Sequence, residues 1–464
     1  MSHEQLFSRR RLLECTGLGL GWLACRDLLA TANANEPRTH FPPRARHVIF
    51  LFMDGGVSHV DSFDPKPDLD KKHGEPAKWR ADTKSQAVSA NRKWLRSPWD
   101  FAQHGESGLW VSTLFPEITK VIDDLAIVRS MVGETPLHGA QSLLLHTGRS
   151  IGAAPSLGSW ISYGLGTENN ELPGYVLLNN DWIPNGGFQN FASSYLPATH
   201  QATMVRAKGM PVDNIEPSDP PEVQRAKLAF LEQSDGELAQ SLGGADAIES
   251  AIRNYETAAR MQYLVPDLCD VRAESPATLK LYGVDRSSPF EHFYSLQCLR
   301  ARRLVEAGVR FVEITCPNTH GNNSPWDQHG ELKLRHAENA RITDQPVAAL
   351  IMDLKARGLL DETLVVWAGE MGRTPHSSGD DGRDHHVSGY TIWLAGGGIK
   401  GGITHGTTDE MGMSAVENPL DIHDIHATIL HQLGVDHKRL TYRFGGRDVR
   451  LTDVHGKVVR EILA

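Results

Sequence analysis

Three stretches of this sequence place acids, imidazoles and a guanidinium close enough together to hold an ion or to work on an anion. In WDQHG, Asp327 and His329 lie two positions apart, so an extended or turning backbone can bring both to one ion. A carboxylate with an imidazole suits zinc, manganese or iron better than magnesium. In GEMGRTP, Glu370 precedes Arg373, whose planar fork matches two oxygens of a phosphate or sulfate and is equally placed for a salt bridge to Glu370. In DHHVSG, His385 and His386 are adjacent; on an extended segment they point to opposite sides, so at most one reaches a shared site, and we assign it to His386.

Two further positions extend the set. Asp54 is the first acid after the apolar run HVIFLFM and precedes Gly55 and Gly56, which let a ligand approach the backbone; a carboxylate there is a natural hard-metal ligand. His138 opens HGAQSLLLHTGR, where the free amides of a first helical turn suit an anionic group, with Arg149 at the far end of the motif. His146, eight residues along the same helix, reads as a core histidine, and His423, His426 and His431 read as structural.

The elements that must position these residues alternate. HVIFLF, LAIVRSM, LPGYVLLN, VRFVEITC, TLVVWAGE and YTIWLAGGG read as buried strands, separated by helical patterns such as SLQCLRARRLVEAG and ENARITDQPVAALIMDLKARG. This predicts an α/β fold with a mostly parallel sheet covered on both faces, and in such sheets ligands bind beyond the carboxyl ends of the strands. The polar stretch between the last two strands reads as a loop. From about Gly186 to His292 charge-rich helical pieces dominate, and we read a helical insertion in one domain spanning 35–464.

At 464 residues, with 22% charged side chains and a net charge of -10, the chain has ample core and no general attraction to nucleic acid or anionic membrane; no basic stripe is expected. SRRRLL, a short apolar stretch and the small-residue sites ending at Ala32 or Ala34 read as a Tat signal over residues 1–34, giving an exported, periplasmic or extracytoplasmic protein without a transmembrane segment. Cys269, Cys298 and Cys316 then remain, expected as buried thiols with at most one disulfide. No GxSxG, Walker A, HExxH or CxxC motif occurs.

Taken in order, MDGG, HGAQSLLLHTGR, WDQHG, GEMGRTP and DHHVSGYTIWLAGGGIKGG resemble the exported bacterial proteins grouped as the domain of unknown function 1501 family, itself similar to a sulfatase-like branch of the alkaline phosphatase superfamily. The resemblance runs from His47 to the C-terminus. It implies a three-layer αβα sandwich and a divalent ion, zinc, manganese or calcium, held by Asp54, Asp327, His329, Glu370 and His386. Two departures accompany it: Met371 stands where the phosphatases have a histidine, and His138 occupies the position of the sulfatase cysteine. The implied function is a metal-dependent hydrolase of sulfate or phosphate esters, on a small molecule or polysaccharide, with His138 as ligand, acid/base or nucleophile and Arg373 or Arg149 neutralising charge. The rival is a non-catalytic protein binding an anionic ligand or polysaccharide.

Overall fold

An apolar strand without polar alternation is stable only with both faces covered, and the first strand is buried at all six residues. The strands of the central sheet and of the hairpin beside it are β1 (His47–Phe52), β2 (Leu125–Met131), β3 (Tyr175–Asn179), β4 (Thr203–Arg206), β5 (Phe311–Thr315), β6 (Thr363–Ala368), β7 (Gly372–Ser378), β8 (Gly382–His386), β9 (Tyr390–Ala395) and β10 (Ile403–His405). Eight of them form one sheet in the order β10-β2-β9-β6-β1-β5-β3-β4. Every pairing is parallel except those of β9, which runs antiparallel to β2 and β6. The computed structural model describes residues 39–78, 92–212, 219–241, 261–262, 264–321 and 323–464, so the expected Tat signal lies outside the described residues.

Alternation along β1 builds the layers. Ile49 and Leu51 enter a core with Tyr294, Leu299 and Leu304 of α4 (Pro289–Glu306) and Ile342 and Leu350 of α5 (Leu332–Ala356). Val48, Phe50 and Phe52 enter the opposite core with Leu144 and Leu145 of α1 (His138–Thr147), Trp160 and Ile161 of α2 (Leu157–Leu165), and Ile425 and Ile429 of α6 (Ile422–Gln432). The molecule is therefore a mixed α/β fold of three layers with a mostly parallel sheet. The expected helical stretch contains α3 (Pro221–Ser241) and a short helix at Pro276–Tyr282, but it also supplies the sheet-edge strand β4. Cys269, Cys298 and Cys316 are buried free thiols. No helix among the described residues is long and apolar enough to cross a membrane.

The stretch expected as a polar loop is a buried antiparallel hairpin, β7 and β8, in which His385 pairs with Arg373 and His386 with Gly372. Charged residues are stable there because their partners come from distant segments. Arg383 donates to both oxygens of Asp61 at 2.7 and 3.0 Å and to the carbonyls of Thr374 and Leu95 at 3.1 and 3.0 Å. Where β1 ends, Gly55 has φ +109°, and a Cβ there would lie 2.7 Å from the Trp326 nitrogen and 2.8 Å from that of Asp327.

Two outcomes follow from this packing. Gly55→Ala combines backbone strain with a backbone collision and should lower stability by roughly 2–3 kcal/mol in urea unfolding; a wild-type midpoint would contradict the close approach. Burial alone would raise the Asp61 carboxyl, but the charge and hydrogen bonds of Arg383 outweigh it and hold it below its usual value. Such a group stabilises the fold above its unfolded pKa of about 4, and that contribution is lost as pH falls through the lower folded value. Asp61→Asn leaves Arg383 buried without a counter-charge, so stability at pH 7 should fall by roughly 3 kcal/mol and the acid limb of the stability curve should flatten; an unchanged acid limb would show that the pair is not the titrating unit.

Candidate metal centre

Because β1, β2, β3, β5 and β6 run parallel, their carboxyl ends share one edge of the sheet, and the loops leaving that edge bring the reactive side chains together. The loop after β5 carries Asp327 and His329, α1 following β2 carries His138, and the hairpin after β6 carries Arg373, Asp384 and His385.

The centre is one carboxylate oxygen, Asp327 Oδ1. The Nε2 atoms of His329 and His385 each lie 3.1 Å from it and His138 Nε2 lies 3.3 Å away, while the Nε2 atoms of His329 and His385 are 3.0 Å apart. His138, Asp327 and His385 offer ligand atoms all within 4.8 Å of one another, and all three are buried. The separations of 3.0–3.3 Å around Asp327 Oδ1 are close to the donor spacing about an ion bound at about 2.0 Å, the value for zinc on nitrogen or oxygen, and the compact donor group is His138, Asp327 and His385, with His329 beside it.

The other nitrogen of each ring is fixed from behind. His385 Nδ1 donates to the Pro136 carbonyl at 2.6 Å, His329 Nδ1 to Asp384 Oδ1 at 3.1 Å, and His138 Nδ1 to Glu370 Oε1 at 2.6 Å. Each contact sets the tautomer that leaves Nε2 facing Asp327, the outer-shell arrangement usual for metal-bound histidine. His138 Nε2 is buried without an aligned hydrogen bond. The orphaned His138 nitrogen and the oriented His385 Nε2 beside the Asp327 carboxylate are a donor set that fits a divalent ion of the zinc or manganese type, with His329 at its edge.

Protonation follows from these contacts. Burial, with further contributions from the Arg373 and His138 charges, pushes His385 down to about 4 and keeps it neutral. Burial also opposes charge on His138, yet the flanking Asp327 and Glu370 carboxylates prevail and raise it to about 9. The Asp327 and Asp384 hydrogen bonds raise His329. Burial would raise Asp327, but Arg373 and the histidines hold it far below the carboxylate range.

Several expected roles change. His386 is fully buried on the other side of the hairpin, stacked on His59 with ring centroids 5.9 Å apart, so strand alternation delivers His385 to the cluster and takes His386 away from it. Arg373 is also fully buried and is committed elsewhere: Nε donates to the Gly55 and Gly56 carbonyls at 3.2 Å, and the terminal nitrogens donate to the Arg383 and Gly55 carbonyls and to Asp327 Oδ1 at 2.6 Å. Its ion-pair partner is Asp327 rather than Glu370, and it positions that carboxylate instead of meeting an incoming anion. Arg149 follows the opposite end of α1, about 15 Å from His138 by helical rise, and lies 3.4 Å from Asp453.

Asp54 and Glu370 stand beside the cluster rather than at its centre. Glu370 accepts from the Gly55 amide at 3.0 and 3.1 Å as well as from His138. Asp54 accepts from Trp182 Nε1 at 2.9 Å and Ser324 Oγ at 3.1 Å; burial first, and then the neighbouring Glu370 charge, raises it to about 7. Trp182 and Ser324 were not among the expected site residues. Trp182 had one usable signal, its position just past the end of β3.

His329 is the accessible edge of the site: its side chain is 41% exposed against 6% for Asp327. Both line a cleft of about 370 Å³ with Gly321, Asn323, Gly330, Glu331 and Arg335. Ser142, one helical turn beyond His138, is fully buried and so offers no hydroxyl to this cleft.

No curated protein matches the sequence. Similar solved structures include the PsFucS1 sulfatase from Pseudoalteromonas sp., at 13% identity over 84% of this chain and 68% of that one, with a TM-score of 0.37. They also include BT1596, a 2-O GAG sulfatase (11% identity, 90% and 74% covered, TM-score 0.40), and the phosphonate monoester hydrolase SpPMH from Silicibacter pomeroyi (13%, 75% and 71%, TM-score 0.35). Residues 45–463 match the family described as "Protein of unknown function (DUF1501)", which takes in the whole strand-end cluster from Asp54 to His385, and the chain belongs to that family.

Proposed function

We propose that this protein is an exported, metal-dependent hydrolase of sulfate or phosphate esters, belonging to a sulfatase-like branch of the alkaline phosphatase superfamily. The observation that carries this reading is the convergence of His138, His329 and His385 Nε2 on Asp327, with each Nδ1 held by an oxygen. His138, Asp327 and His385 would hold the ion, with His329 beside them at the cleft. A bound divalent ion would act as a Lewis acid on the ester and make water a stronger nucleophile.

The chain's own groups do the rest. Arg373 keeps Asp327 ionised and fixed, while Glu370 and Asp384 hold two imidazoles in one tautomer, so the site needs little rearrangement to bind. His329, at the cleft wall, is placed to meet the ester and to hand a proton to a departing alcohol oxygen. With Ser142 buried and His138 at the helix start, this reading takes attack by water rather than by the Ser142 hydroxyl. The arginine-rich leader pattern in residues 1–34 supports export.

The adjacent histidines provide the sharpest test. Protein purified without chelator should contain about one equivalent of metal by mass spectrometry, His385→Ala and Asp327→Asn should lose it, and His386→Ala should retain it. Loss in His386→Ala with retention in His385→Ala would invert the assignment. Glu370→Gln and Asp384→Asn should weaken metal affinity by roughly 10–100-fold in chelator competition.

Hydrolysis of p-nitrophenyl sulfate or phosphate by the metal-loaded protein should fall at least about 100-fold in Asp327→Asn. Absence of turnover on either ester by metal-replete protein would shift the assignment to the binding protein that keeps this pocket without using it.

A further inference from the structure

A second surface is left over once the metal centre is accounted for. The chain is acidic overall, with a net charge of -10, but KRLTYRFGGRDVR, residues 438–450, carries five basic side chains and one acid. The segment forms an exposed hairpin of Tyr442–Phe444 and Arg447–Val449, joined by Gly445 and Gly446 at φ +58° and +81°, the conformation a two-residue hairpin turn requires.

Tyr442 and Phe444 project to the same side of their strand, as residues two apart must, and both stack on Tyr195. The Tyr195 and Phe444 centroids are 4.4 Å apart and those of Tyr195 and Tyr442 6.2 Å, each pair inclined by 17°. Edge contacts of Tyr195 with Trp160 and of Tyr442 with Tyr163 anchor this stack to the α2 core. The rings are thus held rigidly, yet Phe444 is 49% exposed. A rigid aromatic group kept in water, with no contribution to the core from its outer face, is a feature of binding surfaces.

The charges around the stack are placed to complement an anion. Burial raises the Tyr195 phenol above its usual value and the Arg149 and Arg447 charges oppose that rise; Arg447 lies opposite Phe444 in the hairpin, and Arg149 lies 3.4 Å from Asp453. Arg149 is the residue whose type suggested anion binding but which lies outside the metal cluster.

We propose that this face is a secondary binding surface for an anionic polysaccharide, with sugar rings lying on the Phe444–Tyr195–Tyr442 stack and sulfate or phosphate groups held by Arg149 and Arg447. The C–H face of a sugar is attracted to the negative face of an aromatic ring, and guanidinium groups pair with planar sets of anionic oxygens. Asp448, 3.2 Å from Arg443, and Asp453 stand among the arginines. They would accept hydrogen bonds from sugar hydroxyls, which a polysaccharide presents along its length and single-stranded DNA does not. The inference rests on the hydrolase reading only in that the polymer would carry the ester; the binding itself needs no turnover.

The test uses the full metal-loaded protein with dextran sulfate, neutral dextran and single-stranded DNA as probes in calorimetry. Dextran sulfate should bind with an affinity that falls as salt rises, and neutral dextran more weakly. Phe444→Ala/Arg447→Ser, and separately Arg149→Gln, should each weaken dextran sulfate by roughly tenfold, about 1.4 kcal/mol, with an unchanged melting temperature and unchanged hydrolysis of p-nitrophenyl esters. Wild-type affinity in both variants would overturn the proposal, as would DNA binding as tight as that of dextran sulfate and equally weakened by the substitutions. Binding that depends on these residues in a protein that hydrolyses no ester would uphold this surface while removing the hydrolase reading.

Discussion

A guanidinium cannot shed its charge, so a fully buried one imposes its geometry on whatever surrounds it. Arg373 is that group here. Its donors reach the carbonyls of Gly55 and Gly56 just after β1, the carbonyl of Arg383 in β8, and the carboxylate of Asp327 in the loop after β5. The segment after β1, more than 300 residues before Arg373 in the chain, is thereby tied at one point to the loop after β5 and to the hairpin. The three imidazoles converge on an oxygen that Arg373 holds in place, and Gly55 must lack a side chain because the backbone of Trp326 and Asp327 is drawn up against it. Without the guanidinium, Asp327 would be a buried anion among imidazoles that burial prefers to keep neutral.

The scaffold was legible because apolar runs determine strands locally. The unbroken burial of β1, β6 and β9 is written in HVIFLF, TLVVWA and YTIWLA, and the acid just after β1 and the one closing GEMGRTP's strand do fall at the carboxyl edge. The hairpin was not legible, because a strand containing Arg373, Arg383, Asp384 and two histidines is buried only by virtue of partners such as Asp61 and Asp327, which no local pattern reveals. Alternation put the two side chains of the His385–His386 pair on opposite faces, and only His385 lies in the cluster. It could not choose between them, since a register shift between Arg383 and His385 breaks the count from the rest of the strand. Arg373 illustrates a different limit: residue type suggests what a guanidinium can bind, whereas only the fold shows that its donors are already used. The basic run at 438–450 was hidden in the same way by an acidic total.

The electrostatics of the cluster are arranged in two tiers. Glu370, Asp384 and the Pro136 carbonyl form an outer ring of oxygens that orients nitrogen, and Asp327 with the three Nε2 atoms forms the inner set. Asp54 and Glu370 add negative charge on the sheet side of His138, where the sequence resemblance had suggested first-hand ligands; here they are occupied by amide, indole, hydroxyl and imidazole donors. Asp327 first, and then Glu370, let His138 hold a proton against its burial, and the same carboxylates would favour a cation at the inner set once that proton is gone.

Access then constrains what the inner set can act upon. The cleft meets the cluster at His329 and Asp327 and leaves His138 and His385 behind them, so a reacting group enters from one side and the remainder of its molecule stays outside. A small ester would be held only by contacts at that edge, where the one guanidinium among the lining residues, Arg335, is already paired with Glu331 at 2.6 Å. On the proposed hydrolase reading, affinity for a larger substrate would come from elsewhere on the protein, and the proposed aromatic and basic face beyond the far end of α1 would offer it without altering the chemistry at Asp327. Under that proposal chain length, more than the identity of the ester, would separate a good substrate from a poor one, because each added unit would contribute binding at a surface that the reacting group never touches.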